Sequence, residues 1–197
     1  MPSSLRKTLL ALQQRDLDVR GKLEAEGTLF DGYHPRMEAV HRENARQLRE
    51  LIERFGWPNE QVAGRDGAEA AWLIAQHSIS EPEFMRSCRQ LLAAEVASGG
   101  APAWQHAYLD DRIRVSEGRP QRYGTQFEVT PDGPSLCEVD DPGSLHERRR
   151  EAGLNPIAER LESMKNAPRP TAAEYAARKE AERRWRVAVG WAAPGDA

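Results

Sequence analysis

Cysteine is scarce in this chain: 197 residues carry only Cys88 and Cys137. So few thiols build neither a disulfide framework nor a zinc site of paired cysteines, and both read as reduced thiols of a cytoplasmic protein. No apolar run of 18 residues occurs, and the opening M-P-S-S-L-R-K-T-L-L-A-L-Q-Q-R lacks the unbroken apolar stretch of a secretory signal. A membrane span is therefore not expected. An excess of one charge is missing as well: the net charge is −3 and the pI near 6.0. Without a basic field, neither nucleic acid nor an anionic membrane surface is an expected partner. The segment Gly64-Arg65-Asp66-Gly67 lacks the lysine and spacing of a phosphate loop, and no serine sits in a G-x-S-x-G elbow. Nucleotide-dependent and serine-nucleophile chemistry lose their support.

What the chain does have is charge, 30% of residues, and helical periodicity. A modest hydrophobic fraction of 39% favours a mainly α fold, a compact bundle of about five or six helices with long solvated faces. Leu5, Leu9, Leu12 and Val19 repeat at helical spacing after Ser4, and Gly27 stops that helix. The turn T-L-F-D-G-Y-H-P-R delivers Tyr33 and His34 just before Pro35, which suits a first helical turn. From Arg36 to Phe55 an apolar stripe of Met37, Leu48, Leu51 and Phe55 also carries His41 and Asn44.

The segment N-E-Q-V-A-G-R-D-G reads as a loop, with Asp66 as a candidate cap for the helix A-E-A-A-W-L-I-A-Q-H-S, Ala68 to Ser78. That helix is apolar on nearly every face until Gln76 and His77. A following helix has Ser80 as its expected cap and Phe84, Cys88, Leu91 and Leu92 as its buried side. The next, from Pro102 to about Ser116, places Asp111 on the stripe of Trp104, Ala107, Tyr108 and Val115, with Arg112 beside it.

Alternation over Gln121 to Thr130, the turn P-D-G and a second run to Val139 predict one small β-hairpin near 121–139. Gly124 within it marks a bulge or a close backbone approach. A short helix with Arg148, Arg149 and Arg150 follows, and then one from about Pro156 to Lys165. The expected organisation is a single helical domain over 1–165, with the hairpin inserted, and a tail over 166–197 made of a linker, a charged helix and a frayed end at A-A-P-G-D-A.

The ordered set D-G-Y-H-P, H-R-E-N-A, G-W-P, A-W-L-I-A-Q-H, A-Y-L-D-D-R, P-Q-R-Y-G-T-Q and H-E-R-R-R-E-A-G-L resembles an uncharacterised bacterial family, frequent in actinobacteria and known only as a domain of unknown function. The resemblance runs from about Leu9 to Leu161. It implies a soluble, single-domain bacterial protein and no particular activity.

Polar groups aimed into a helical interior need partners or a ligand. Two readings of them stay open. In the first, which the residues favour, the chain is a cofactor-independent enzyme acting by acid–base chemistry on a small polar, anionic molecule. His77 is then the acid or base, since imidazole titrates near neutrality, and Asp111 its orienter. His41, Asn44, Gln76, Arg112, Tyr123 and Gln126 bind the substrate. In the second, the same residues close a structural network in a non-catalytic binding or interaction module, and the three arginines form a solvated face. Glu38 and His41 have the E-x-x-H spacing of di-iron bundles, but a second pair and two further glutamates are missing. No metal is therefore expected; His34, His41 and His77 are the one plausible cluster.

Overall fold

The computed structural model describes residues 2–29, 32–193 and 195. It is mainly α: 67% is helical, and the described residues form eight helices and one two-stranded antiparallel hairpin. The chain forms two compact units, Met1–Ala101 and Pro102–Ala197.

The first unit holds α1 (Pro2–Ala25), α2 (Pro35–Phe55), α3 (Glu60–His77) and α4 (Pro82–Ala97). Leu5, Leu9, Leu12 and Leu23 of α1 are buried, each worth about 1.5–3 kcal/mol of apolar transfer. Helix α1 packs chiefly on α3, whose buried residues are mostly small, Ala63, Gly67, Ala70, Ala71 and Ala75 beside Ile74 and Gln76, while Leu23 joins Leu29 and Met37. The small residues of α3 let the two backbones come close: a Cβ on Gly67 would stand 3.5 Å from the Cα of Arg6. The helix α3 starts earlier than its apolar run. Asn59 caps it, its side chain accepting from Val62 N, and Gly64 kinks it with φ 74°. Asp66, expected as the cap, lies just beyond the kink, accepting from Gly67 N at 2.9 Å and from Arg6 at 2.5 and 2.7 Å. His34 caps α2 through Nδ1, which accepts from Arg36 N at 3.1 Å. In the turn before it, Phe30 and Asp31 lie outside the described residues. Ser80 does not cap α4; its hydroxyl donates to Glu38 Oε1 at 2.9 Å.

The second unit contains α5 (Ala103–Ser116), the hairpin β1 (Phe127–Thr130) and β2 (Gly133–Leu136), and the short α6 (Leu145–Glu151). It ends with α7 (Ile157–Met164) and α8 (Ala172–Val189). Phe127 pairs with Leu136 and Thr130 with Gly133. The strand predicted from Gln121 begins only at Phe127, because the N–H groups of residues 122, 123 and 125 go to Asp111 rather than to a neighbouring strand. The C-terminal helix α8 opens with a capping box between Thr171 and Glu174. It touches the hairpin: Tyr175 donates to Glu128 at 3.0 Å and Arg178 to the carbonyl of Val129 at 2.6 Å. Of the expected frayed end, residues 194, 196 and 197 lie outside the described residues. No described helix is long and apolar enough to cross a membrane.

Candidate functional site

The polar residues predicted to face inward fall into two clusters, one in each unit. In the first, α1, α2 and α3 bring Asp16, His41 and His77 together. Asp16 is 1% exposed, and its Oδ2 lies 2.8 Å from Nδ1 of His77 and 3.2 Å from Nε2 of His41. The two imidazoles face each other with ring centroids 5.1 Å apart. A carboxylate has no proton to give, so Nδ1 of His77 carries the proton and Asp16 fixes that tautomer. Behind His41, the Tyr33 hydroxyl is 2.7 Å from Nδ1. Burial raises the Tyr33 phenol above its ordinary pKa, which keeps it protonated. For Asp16, burial alone would raise the carboxyl, but the two imidazoles in contact with it reverse this and hold it well below the usual carboxylate range.

Two atoms of this cluster are under-served. Oδ1 of Asp16 is buried without a hydrogen-bond partner, and Nε2 of His41, although near Asp16, is not aligned with it as a hydrogen bond. A buried polar group left so costs about 1–3 kcal/mol. The His77 ring is 20% exposed, the most open of the three side chains. Asn44, also predicted to face inward, is buried and donates from Nδ2 to the carbonyl of Leu12 at 3.0 Å, tying α2 to α1 one turn before Asp16. Gln76 is buried beside His77 in sequence. Glu38, the carboxylate of E-x-x-H, is held outside the cluster by Ser80 and by Arg42, whose nitrogens lie 2.9 and 3.1 Å away.

The second cluster is centred on Asp111, which is fully buried. Its carboxylate accepts from the backbone N–H of Arg122 at 2.7 Å, Tyr123 at 3.0 Å and Thr125 at 2.9 Å, and from the Thr125 hydroxyl at 2.9 Å. Burial pushes its pKa above the ordinary aspartate value, against the pull of those donors. The carbonyls of the same loop are held from the other side. Arg149, 6% exposed, donates to Tyr123 O at 2.6 Å and to Gly124 O at 2.9 Å, and Arg148 donates to Arg122 O at 2.8 Å. Gln121 closes the loop, giving Nε2 to the carbonyls of Gln126 and Cys137 and accepting from Gln126 N. Gln126 itself donates to the Thr125 hydroxyl at 3.0 Å. Gly124 has φ 67°, and a Cβ there would stand 3.2 Å from the Ile157 side chain.

The pairing expected between His77 and Asp111 is therefore corrected. The carboxylate on His77 is Asp16, and Asp111 spends its oxygens on the loop of residues 122–125. The solvated arginine face is corrected in two of three positions, since only Arg150 points outward, 3.5 Å from Glu147. Asp16 is the residue sequence reasoning passed over. For Asp16 a signal existed: it stands at the helical interval between Leu12 and Val19, on the same stripe. Arg112 is half-buried in α5 beside Asp111.

The chain belongs to a family of unknown function (DUF6624), whose model matches residues 3–169. Both clusters lie within that match, and α8 lies beyond it. No curated protein and no solved structure matches the chain.

Proposed function

We propose that this protein is an enzyme that moves protons on a small polar molecule, with the His77 and Asp16 pair as its acid–base centre. The observation that carries the reading is the 2.8 Å contact between Nδ1 of His77 and a carboxylate that is 1% exposed. A buried carboxylate that fixes one ring nitrogen makes the other, Nε2, the atom that takes and returns a proton. Partial exposure of His77 supports its access to a bound molecule, and Tyr33 with His41 forms the inner wall. The cytoplasm suits such a protein, since both thiols are free.

A binding or interaction module with a structural network is the second reading, and Asp111 supports it for the second unit. Four donors on one carboxylate describe a loop anchor, and Tyr123 and Gln126 belong to that loop. The substrate contacts proposed for Arg112, Tyr123 and Gln126 have correspondingly less support than the role of His77.

The test is turnover of a panel of p-nitrophenyl esters and phosphates by the full chain. Replacing His77 by Gln is expected to lower any rate found by about 10²–10⁴-fold while melting stays within a few degrees. A rate unchanged in His77→Gln sinks the acid–base assignment.

A further inference from the structure

We infer that Asp16, His41 and His77 form the binding site of one divalent transition-metal ion. The inference rests on the reading of this cluster as the chemical centre and supplies the cofactor that the sequence did not lead one to expect.

Three observations carry it. The first is convergence: the three side chains each offer a donor atom, and these atoms lie within 4.8 Å of one another. Metal bonds of roughly 2.0–2.2 Å ask for donor spacings near 3.0–3.5 Å, and the two spacings from Asp16 Oδ2 are already 2.8 and 3.2 Å. The second is the pair of buried atoms without hydrogen-bond partners, Oδ1 of Asp16 and Nε2 of His41. A closed Asp–His network would use both. A cation uses both: His41 Nε2 presents a lone pair rather than a proton, and His77 Nδ1 releases to solvent the proton it otherwise gives to Asp16 as it becomes a ligand. The third is the group behind His41. Tyr33 lies 2.7 Å from Nδ1, and a phenol that accepts the Nδ1 proton fixes the tautomer in which Nε2 is the ligand.

The donor set narrows the ion. Two imidazoles and one carboxylate suit Zn²⁺, Fe²⁺ or Co²⁺, whereas Mg²⁺ and Ca²⁺ require oxygen ligands throughout. With Glu38 held by Ser80 and Arg42, a single carboxylate serves the cluster among the described residues, which suits one ion. Three protein ligands with the partly exposed His77 leave a position on the ion for water or substrate, the arrangement of a reactive rather than a purely structural site.

The experiment uses the tag-free full chain, stripped with chelator and titrated with Co²⁺ and then Zn²⁺, followed by visible absorption and calorimetry. One Co²⁺ per chain should give a d–d band that one Zn²⁺ displaces. Affinity should fall at least about 100-fold in His41→Gln and in Asp16→Asn, and about 10–100-fold in Tyr33→Phe. Should those variants fail to fold, ring ¹⁵N spectra of the native chain decide: Zn²⁺ should shift the signals of His41 and His77 and leave those of His34, His106 and His146. Absence of a saturable band, or metal held by other histidines, overturns the inference. If stripped protein binds no metal yet turns over the ester and phosphate panel, the metal site falls and the acid–base reading survives. If one ion binds at the three residues but neither form turns over any substrate, the site stands and the acid–base reading falls.

Discussion

Asp16 and His77 stand 61 residues apart in the chain, yet the carboxylate Oδ2 of one lies 2.8 Å from Nδ1 of the other. Helix α1 supplies the first from its middle and α3 the second from its last residue. Because the carboxylate is ionised and held between two imidazoles, replacing it by an amide removes the charge from a charge-assisted bond and turns an NH₂ toward one of the rings. Asp16→Asn is expected to cost on the order of 3 kcal/mol, read as a lowered urea midpoint with unchanged slope. A variant as stable as the native chain would show that the carboxylate contributes nothing to holding α1, α2 and α3 together.

Asp111→Asn tests the loop anchor. The amide keeps one acceptor but turns an NH₂ toward N–H donors that now lack a partner, for a loss of about 2–3 kcal/mol in chemical denaturation. Native-state hydrogen exchange should quicken at the amides of Arg122, Tyr123 and Thr125. Exchange that stays as slow as in the native chain would refute the anchor.

Of the three consecutive arginines, only the first two hold backbone. Arg149→Ala leaves the carbonyls of Tyr123, Gly124 and Asn155 without that donor and should destabilise by about 2–4 kcal/mol, whereas Arg150→Ala should change stability by less than about 0.5 kcal/mol. Equal melting temperatures for the two variants would contradict the geometry.

The thiols give a pH dependence. Burial pushes Cys88 up to about 12 and Cys137 up to about 11. In the unfolded chain both would ionise near ~8.5, so above that pH the unfolded state loses its protons first. Their contribution to stability is then full below about pH 8.5 and is lost as pH rises toward 11 and 12. The double variant Cys88→Ala with Cys137→Ala should show a flatter stability profile between pH 8.5 and 10.5 than the native chain. Iodoacetamide at pH 8 should label neither thiol at the rate of free cysteine until denaturant is added.

Periodicity made the helical fold legible, and it also made legible that His41, Asn44, Gln76, His77 and Asp111 are not ordinary surface residues. It could not say who meets whom. His77, Asp111 and, among its leucines, Asp16 all carry the same inward signature, so periodicity alone does not choose the partner of His77. Contact between helices depends on their axial offset, which no single stripe encodes. The hairpin failed at its start for a related reason: Tyr123 to Gln126 alternates like a strand, but a buried carboxylate on α5 took the amide protons that pairing needs. Arg149 looked like one charge among three because a backbone carbonyl leaves no mark on sequence.

The bond from Asn44 to the Leu12 carbonyl fixes how far α2 can slide along α1. Leu12 O is also the helical acceptor due to Asp16 N, four residues on, so that oxygen ties the neighbour's position to the turn bearing the carboxylate. Asn44 thereby acts as a ruler for the separation of His41 from Asp16. A slip of one helical turn, ~5.4 Å, would part them entirely, and one residue inserted between Leu12 and Asp16 would swing the carboxylate about 100° off the shared face. Length in that stretch of α1 is therefore a chemical constraint, stricter than the identity of the exposed side chains along it.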